Sequence, residues 1–160
     1  MLSVLEEAIL TRVGKRVRGW NAPTDSTPLI EQAVSNSYSA DDVQLGIDML
    51  EKRGYLEVKV DTLLFTTPNG YYAYADANVP GFADLIQSVE LEICQHNRID
   101  SHEVAANLQA EQIAVDYIFA RMIQKGAIEC IGPFWVPGPL WHVKKLSPEL
   151  RFCCRELQQV

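Results

Sequence analysis

Reactive side chains are sparse in this chain, and their spacing argues against catalysis. The cysteines are Cys94, Cys130 and the vicinal Cys153 and Cys154, with no CxxC and no paired spacing of the zinc-finger kind. Cys94-x-His96 is the one short ligand-like pair, and His102 follows six residues later. An isolated Cys is usually a small buried apolar residue, so the reading taken is reduced thiols in a core, with no metal assigned. Asp100-Ser101-His102 contains the residue types of a catalytic triad, but adjacent residues cannot converge as nucleophile, base and orienter. GxSxG, a glycine-rich phosphate loop and HExxH are all missing from the sequence. The expectation is a protein that is not an enzyme, with no catalytic residue, no cofactor and no evident small-molecule substrate.

What the chain does concentrate is aromatic surface. "GPFWVPGPLWHVKK", Gly132 to Lys145, sets Phe134, Trp135 and Trp141 among Pro133, Pro137 and Pro139. Rigid aromatic side chains are enriched in protein interfaces, and prolines lower the entropy cost of ordering the segment that displays them. Phe134, Trp135, Val136, Leu140 and Trp141 are therefore candidate partner-binding residues. The alternative is that Trp135 and Trp141 fold back onto their own domain's core.

Composition bounds the rest. At 160 residues, 48% hydrophobic and 22% charged, the chain is globular in character and long enough for one ordinary domain or two small ones. Glu6 and Glu7 interrupt the stretch where a secretory apolar core would run, and no apolar run nears the ~18 residues of a membrane span. A cytoplasmic protein without membrane contact is the expectation. The formal charge of -7 is uneven: +1 over residues 1–26, -5 over 27–80, -5 over 81–130 and +2 over 131–160.

The elements that must position these residues can be read from period and punctuation. Ser3-x-x-Glu6 is a capping box followed by Leu5, Ile9, Val13 and Val17 at four-residue steps, which predicts a helix to about Arg18. "WNAPTDSTP" breaks it, and Pro28 suits the first turn of a second helix, "PLIEQAVSN". Ser39-x-x-Asp42 can cap a third helix, in which Val43, Gly46, Ile47 and Leu50 share a face and which Gly54 ends. The period then changes to two. "YLEVKV" and "TLLFTT" predict a hairpin turning at Asp61, and "YYAYADA" reads as a short helix or an extended aromatic segment.

"NVPGFAD" reads as a linker, which divides the chain into domains at 1–79 and 80–160. Beyond it the same order recurs: "FADLIQSVELEICQHN", then "SHEVAANL" capped by Asp100 with Glu103, then "AEQIAVDYIFARMIQKG", then a hairpin of "AIECIG" and "LWHVKKL". Ser147-Pro148-Glu149 opens a last helix. A shift of 72 residues superposes Gly54-Tyr55-Leu56 on Gly126-Ala127-Ile128, Leu50 on Met122, Ile47 on Phe119 and Val43 on Val115. Thr67-Pro68 meets Ser147-Pro148 at a shift of 80, so the second hairpin is eight residues longer, and the aromatic segment supplies the excess.

Three helices and a two-stranded ribbon in that order, best seen in "DVQLGIDMLEKRGYLE" and "DSHEVAANLQAEQIAVDYIFARMIQKGAIE", resemble the winged helix-turn-helix superfamily. The resemblance covers nearly the whole chain as two tandem copies. The fold class it implies is mainly α with small β-hairpins, an α+β arrangement of two winged-helix domains, the second with an extended wing.

The resemblance implies DNA as the first partner to consider, read by the longer helix of each copy. Phosphate contact needs outward Lys and Arg. In the first copy the face opposite the apolar stripe presents Asp41, Leu45, Asp48, Met49 and Lys52, which would repel phosphate. Leu45 and Met49 join the candidate partner-binding residues. In the second copy the outward face reads Ile113, Tyr117, Arg121 and Gln124. Tyr117, Arg121 and Gln124, with Arg12, Lys15 and Arg18 on the first helix and Lys144 and Lys145 near the C-terminus, are the candidate nucleic-acid residues. The reading preferred is a non-enzymatic interaction module or adaptor in an assembly, bound to a protein partner or to a second copy. The alternative is a DNA-binding transcriptional regulator.

Overall fold

Helix starts and stops set this architecture, and a computed structural model of the chain, describing residues 1–60, 62–96, 98–135 and 138–159, places them at conspicuous side chains. Ser3, Ser39 and Asp100 each accept a bond from the amide three residues on, and Glu6, Asp42 and Glu103 reach back to the cap's own amide, three complete capping boxes. Thr67 and Ser147 cap in the same way, each with proline at the first helical position.

The chain divides into two compact units, Met1–Pro80 and Gly81–Val160. Both are mixed α+β, with eight helices and two small antiparallel sheets among the described residues. The first unit runs α1 (Val4–Arg16), β1 (Pro23–Asp25), α2 (Thr27–Ser35), α3 (Ala40–Lys52), β2 (Leu56–Val60), β3 (Leu63–Thr66) and α4 (Pro68–Asn78). The second runs α5 (Phe82–Gln95), α6 (Ser101–Leu108), α7 (Gln112–Gln124), β4 (Ile128–Trp135), β5 (Pro139–Leu146) and α8 (Pro148–Gln158).

The element bounds repeat as the residues do. α3 and α7 are offset by 72 residues at both ends, as are the first residues of β2 and β4, while α4 and α8 are offset by 80 at both ends. Each long helix stops in the same way. Tyr55 and Gly54 donate to the carbonyls of Leu50 and Glu51 at 2.9 and 2.8 Å, and Ala127 and Gly126 to those of Met122 and Ile123 at 2.9 and 3.0 Å. These are Schellman closures, and they require the positive φ that Gly54 (+77°) and Gly126 (+72°) adopt without a Cβ penalty.

Apolar stripes then build a core in each unit. In the first, Ile9, Leu10 and Val13 of α1 pack with Leu29 of α2, Val43, Ile47 and Leu50 of α3, and Leu56 and Leu64 of the sheet. α4 closes it, and a Cβ at Gly14 of α1 would overlap the ring of Tyr74. In the second unit the buried side chains include Val89, Ile93, Val104, Ile118, Phe119, Ile128 and Val143.

Several expectations are corrected. α1 ends at Arg16 rather than Arg18, because Val17 is already extended at the cap. Of the two readings of "YYAYADA" the helix is the one observed, and with the helix opened by Ser147-Pro148 it adds a fourth helix to the three of each repeat. β1 was not foreseen: Pro23 to Asp25 pair with Phe65 to Leu63, making the first sheet three-stranded in the order β1-β3-β2. Its three residues carry no alternation, and the proline stands at the first residue of an edge strand, where it costs no ladder bond.

The thiol expectation is also corrected. Cys94 of α5 and Cys154 of α8 form a disulfide, with Cα atoms 5.3 Å apart and a sequence separation of 60, leaving Cys130 and Cys153 free. A cross-link closing that long a loop restricts the unfolded chain and is worth roughly 2–4 kcal/mol. Thiol titration of the unfolded, unreduced protein should find two reactive cysteines rather than four, and Cys154→Ser should lower the unfolding free energy by about that amount. Four titrating thiols at unchanged stability would mean that the bond does not form.

Candidate protein interaction surfaces

The aromatic segment is strand for most of its length rather than turn. β4 continues through Trp135 and β5 starts at Pro139, with Phe134 opposite Leu140 and Trp135 opposite Pro139. The ladder is interrupted between Ile131 and Phe134, where Gly132 takes φ +113°. Such a bulge adds a residue to one strand and re-aims the side chains beyond it. The two tryptophans part company along the hairpin. Trp141 is 3% exposed, stacks on Phe119 of α7 with ring centroids 6.5 Å apart, and its amide donates to the Ser101 hydroxyl at 3.0 Å. Trp135 is 59% exposed, beside Phe134 at 50% and Ile131 at 48%.

Of the predicted wing residues, therefore, Phe134 and Trp135 lie on the surface and Leu140 is half-buried. Trp141 belongs to the core, and Val136 lies outside the described residues. Ile131 was not among the residues predicted. It stands three residues after the buried Ile128, so strand alternation alone turns it outward. His102 of α6 ties this hairpin down, its Nε2 donating to the Pro139 carbonyl at 3.0 Å, and the Val143 amide donates to the Ile99 carbonyl at 3.1 Å.

A second apolar surface lies on the first unit. Leu45 and Met49 of α3 are 61% and 37% exposed, on the face opposite the buried stripe. They edge a cleft of about 340 Å³ whose other walls include Leu5, Glu6, Tyr38 and Asp42. Glu6 is buried, and its carboxylate meets the Arg53 guanidinium at 3.0 Å. Hydrogen bonds from Ser3, and after them the charge of Arg53, hold the Glu6 carboxyl below the usual range; bonds from Ser39 do the same for Asp42.

The candidate nucleic-acid residues do not assemble on α7. Tyr117, expected on its outward face, is fully buried, because Ala114 to Ala120 are buried without a break. A helix buried all round over about two turns has no single solvent face there, so the assumption of one buried stripe fails. Arg121 is half-buried and donates to Gln124 at 3.0 Å, while Gln124 is exposed. Lys144 and Lys145 are exposed on β5, Lys145 directly opposite Glu129. In the first unit Lys15 and Arg18 are exposed and Arg12 is half-buried.

One polar cluster is internal. Asp116 of α7 is 2% exposed and accepts from Gln112 Nε2 at 2.8 Å, and the same amide reaches the Ser101 carbonyl at 3.3 Å. Burial raises the Asp116 carboxyl to about 6, against the opposing pull of the Gln112 bond and the His102 ring. The Cys130 thiol is pushed up to about 12 by burial, which makes it a poor nucleophile. Among the described residues no group of three His, Cys, Asp or Glu side chains converges where a metal ion could sit. None of their helices is long and apolar enough to cross a membrane. Compared with known proteins, the chain matches no family model, no curated protein and no solved structure.

Two outcomes follow from this geometry. Trp141→Ala should cost roughly 3–5 kcal/mol of folding stability, whereas Trp135→Ala should cost under about 1 kcal/mol, measured by denaturant unfolding. Equal losses at both positions would place Trp135 in the core. Asp116 binds its proton more tightly folded than unfolded, so its contribution is fully present below the unfolded value near 3.8 and is lost as pH rises through about 6. Asp116→Asn, which keeps an acceptor for Gln112, should therefore gain on the wild type by on the order of 2 kcal/mol between pH 4 and pH 7.5. A gap between the two proteins that does not change with pH would contradict the raised value.

Proposed function

We propose that this protein is a non-enzymatic interaction module or adaptor whose extended second hairpin and α3 face engage another polypeptide. The observation that carries the reading is the exposed trio Ile131, Phe134 and Trp135 on a hairpin eight residues longer than its counterpart. A hairpin of the shorter length suffices to close the first unit; the longer one docks on its own unit through Trp141 and the Pro139 carbonyl, and that packing does not cover Ile131, Phe134 and Trp135. Large apolar side chains left in water together mark an interaction site more often than an accident of packing.

The tandem winged-helix assignment is part of the proposal. Its support is the shared order of helix, helix, longer helix and hairpin in both units, with the additional strand β1 completing a three-stranded sheet in the first. The DNA-binding alternative draws its support from Arg12, Lys15, Arg18, Lys144 and Lys145, but the long helices do not favour it. α3 offers phosphate Asp41 and Asp48, and α7 buries Tyr117. The cytoplasmic location expected from the sequence has one observation against it, the Cys94–Cys154 disulfide, since reducing compartments tend to open such bonds.

Anisotropy of a labelled random duplex at moderate salt separates the two readings. The module reading expects binding weaker than micromolar and indifferent to Arg12→Ala with Lys15→Ala. It also expects Trp135→Ala to weaken the native complex by about 2 kcal/mol or more at an unchanged melting temperature. Micromolar or tighter DNA binding with a steep salt dependence, abolished by the two basic substitutions, would replace the module with a regulator.

A further inference from the structure

We infer that the cleft between α1 and α3 is a docking groove for an amphipathic helix of a partner protein, one whose apolar anchors are flanked by Lys or Arg. The inference rests on the interaction-module reading and adds the chemistry of the partner to it.

The shape comes from close helix packing. A Cβ at Gly46 would come within 2.6 Å of Ile9, so glycine there lets α3 lie against α1. Gly46 also lines the cleft, and Leu45 and Met49 stand on its rim rather than inside the core. An apolar floor with a flexible methionine at its edge suits side chains spaced along one helix face, since a thioether adapts to what it meets.

Charge selects the occupant. Glu6 and Asp42 line the cleft, and Asp41 and Asp48 project from the same exposed face of α3 as Leu45. Against them stand Lys52 and Arg53; Glu6 and the Arg53 guanidinium engage each other, so the acidic charge left to meet a partner is that of Asp41, Asp42 and Asp48 against Lys52. Arg12 lines an adjoining cavity of about 50 Å³ that shares Leu5 and Tyr38 with the cleft, which leaves the acidic charge along α3. A helix with apolar anchors and a basic flank complements this arrangement, whereas an acidic helix or a polyanion is repelled by it. A second copy of α3 would bring Asp41 and Asp48 against their own equivalents, which disfavours self-docking.

The test titrates the full chain into a fluorescein-labelled amphipathic helix of Leu and Lys, about 14 residues long, and into its Leu and Glu counterpart. The groove predicts that the lysine peptide binds at least about tenfold more tightly than the glutamate peptide. Leu45→Ser with Met49→Ser, charges intact and both positions exposed, should weaken lysine-peptide binding by about tenfold at an unchanged melting temperature. Asp41→Asn with Asp48→Asn should weaken it severalfold and flatten its salt dependence. Equal binding of the two peptides would overturn the proposal. So would lysine-peptide binding that survives the serine pair, which is attraction to surface charge alone. Concentration-dependent dimerisation lost in the serine pair would assign the groove to a second copy instead. If the groove fails while Trp135→Ala still weakens the native complex, only this inference falls and the module reading stands.

Discussion

The left-handed glycine at the end of each long helix is the constraint on which the rest of both units depends. Gly54 and Gly126 close the last turn of α3 and α7 and launch the following strand, so Leu56 and Ile128 enter the core two residues later. The return is anchored as firmly. Thr67 and Ser147 donate their amides to the carbonyls of Tyr55 and Ala127, at 3.2 and 2.8 Å, and their hydroxyls cap α4 and α8. Both ends of each hairpin are therefore held by the same bonds in the two units. Whatever lies between those anchors is free to vary in length without disturbing the helices, and in the second unit it is eight residues longer.

That freedom separates what folding requires from what it does not. Units of about 80 residues bury a modest share of their surface, and each apolar side chain left outside forgoes on the order of 2 kcal/mol. Unit one nevertheless leaves out Leu45 and Met49, and unit two Ile131, Phe134 and Trp135. The core residues Trp141 and Phe119 show that the second unit can bury large aromatics where its strands turn them inward. Of the neighbouring trio, Ile131 is turned outward by the alternation that buries Ile128, while Phe134 and Trp135 stand on the strand length beyond the bulge.

Much of this was legible in the sequence, and the exceptions have physical causes. Capping boxes, glycine stops and strand periods are local, so Ser3, Ser39, Asp100, Gly54 and Gly126 read correctly without any tertiary information. β1 was missed because three residues show no period. The partner of Cys94 depends on α5 and α8 meeting across 60 residues, which no spacing rule encodes. Tyr117 was misplaced because α7 buries Ala114 to Ala120 on every side. Trp135 pairs with Pro139, which shares a face with Trp141, so the opposite fates of the two tryptophans reflect position along the hairpin: Trp141 lies against Phe119, and Trp135 at the far end of β4 does not reach the core.

The central claim is that the extended hairpin of the second unit touches protein. Replacing Trp135 with a photoreactive phenylalanine in the native cell, irradiating, and identifying what becomes attached tests it most directly. The account predicts adducts to polypeptide, mapped to one or a few sites on a partner or on a second copy of the chain. Adducts to nucleic acid alone, or none at a residue that is 59% exposed, would contradict it.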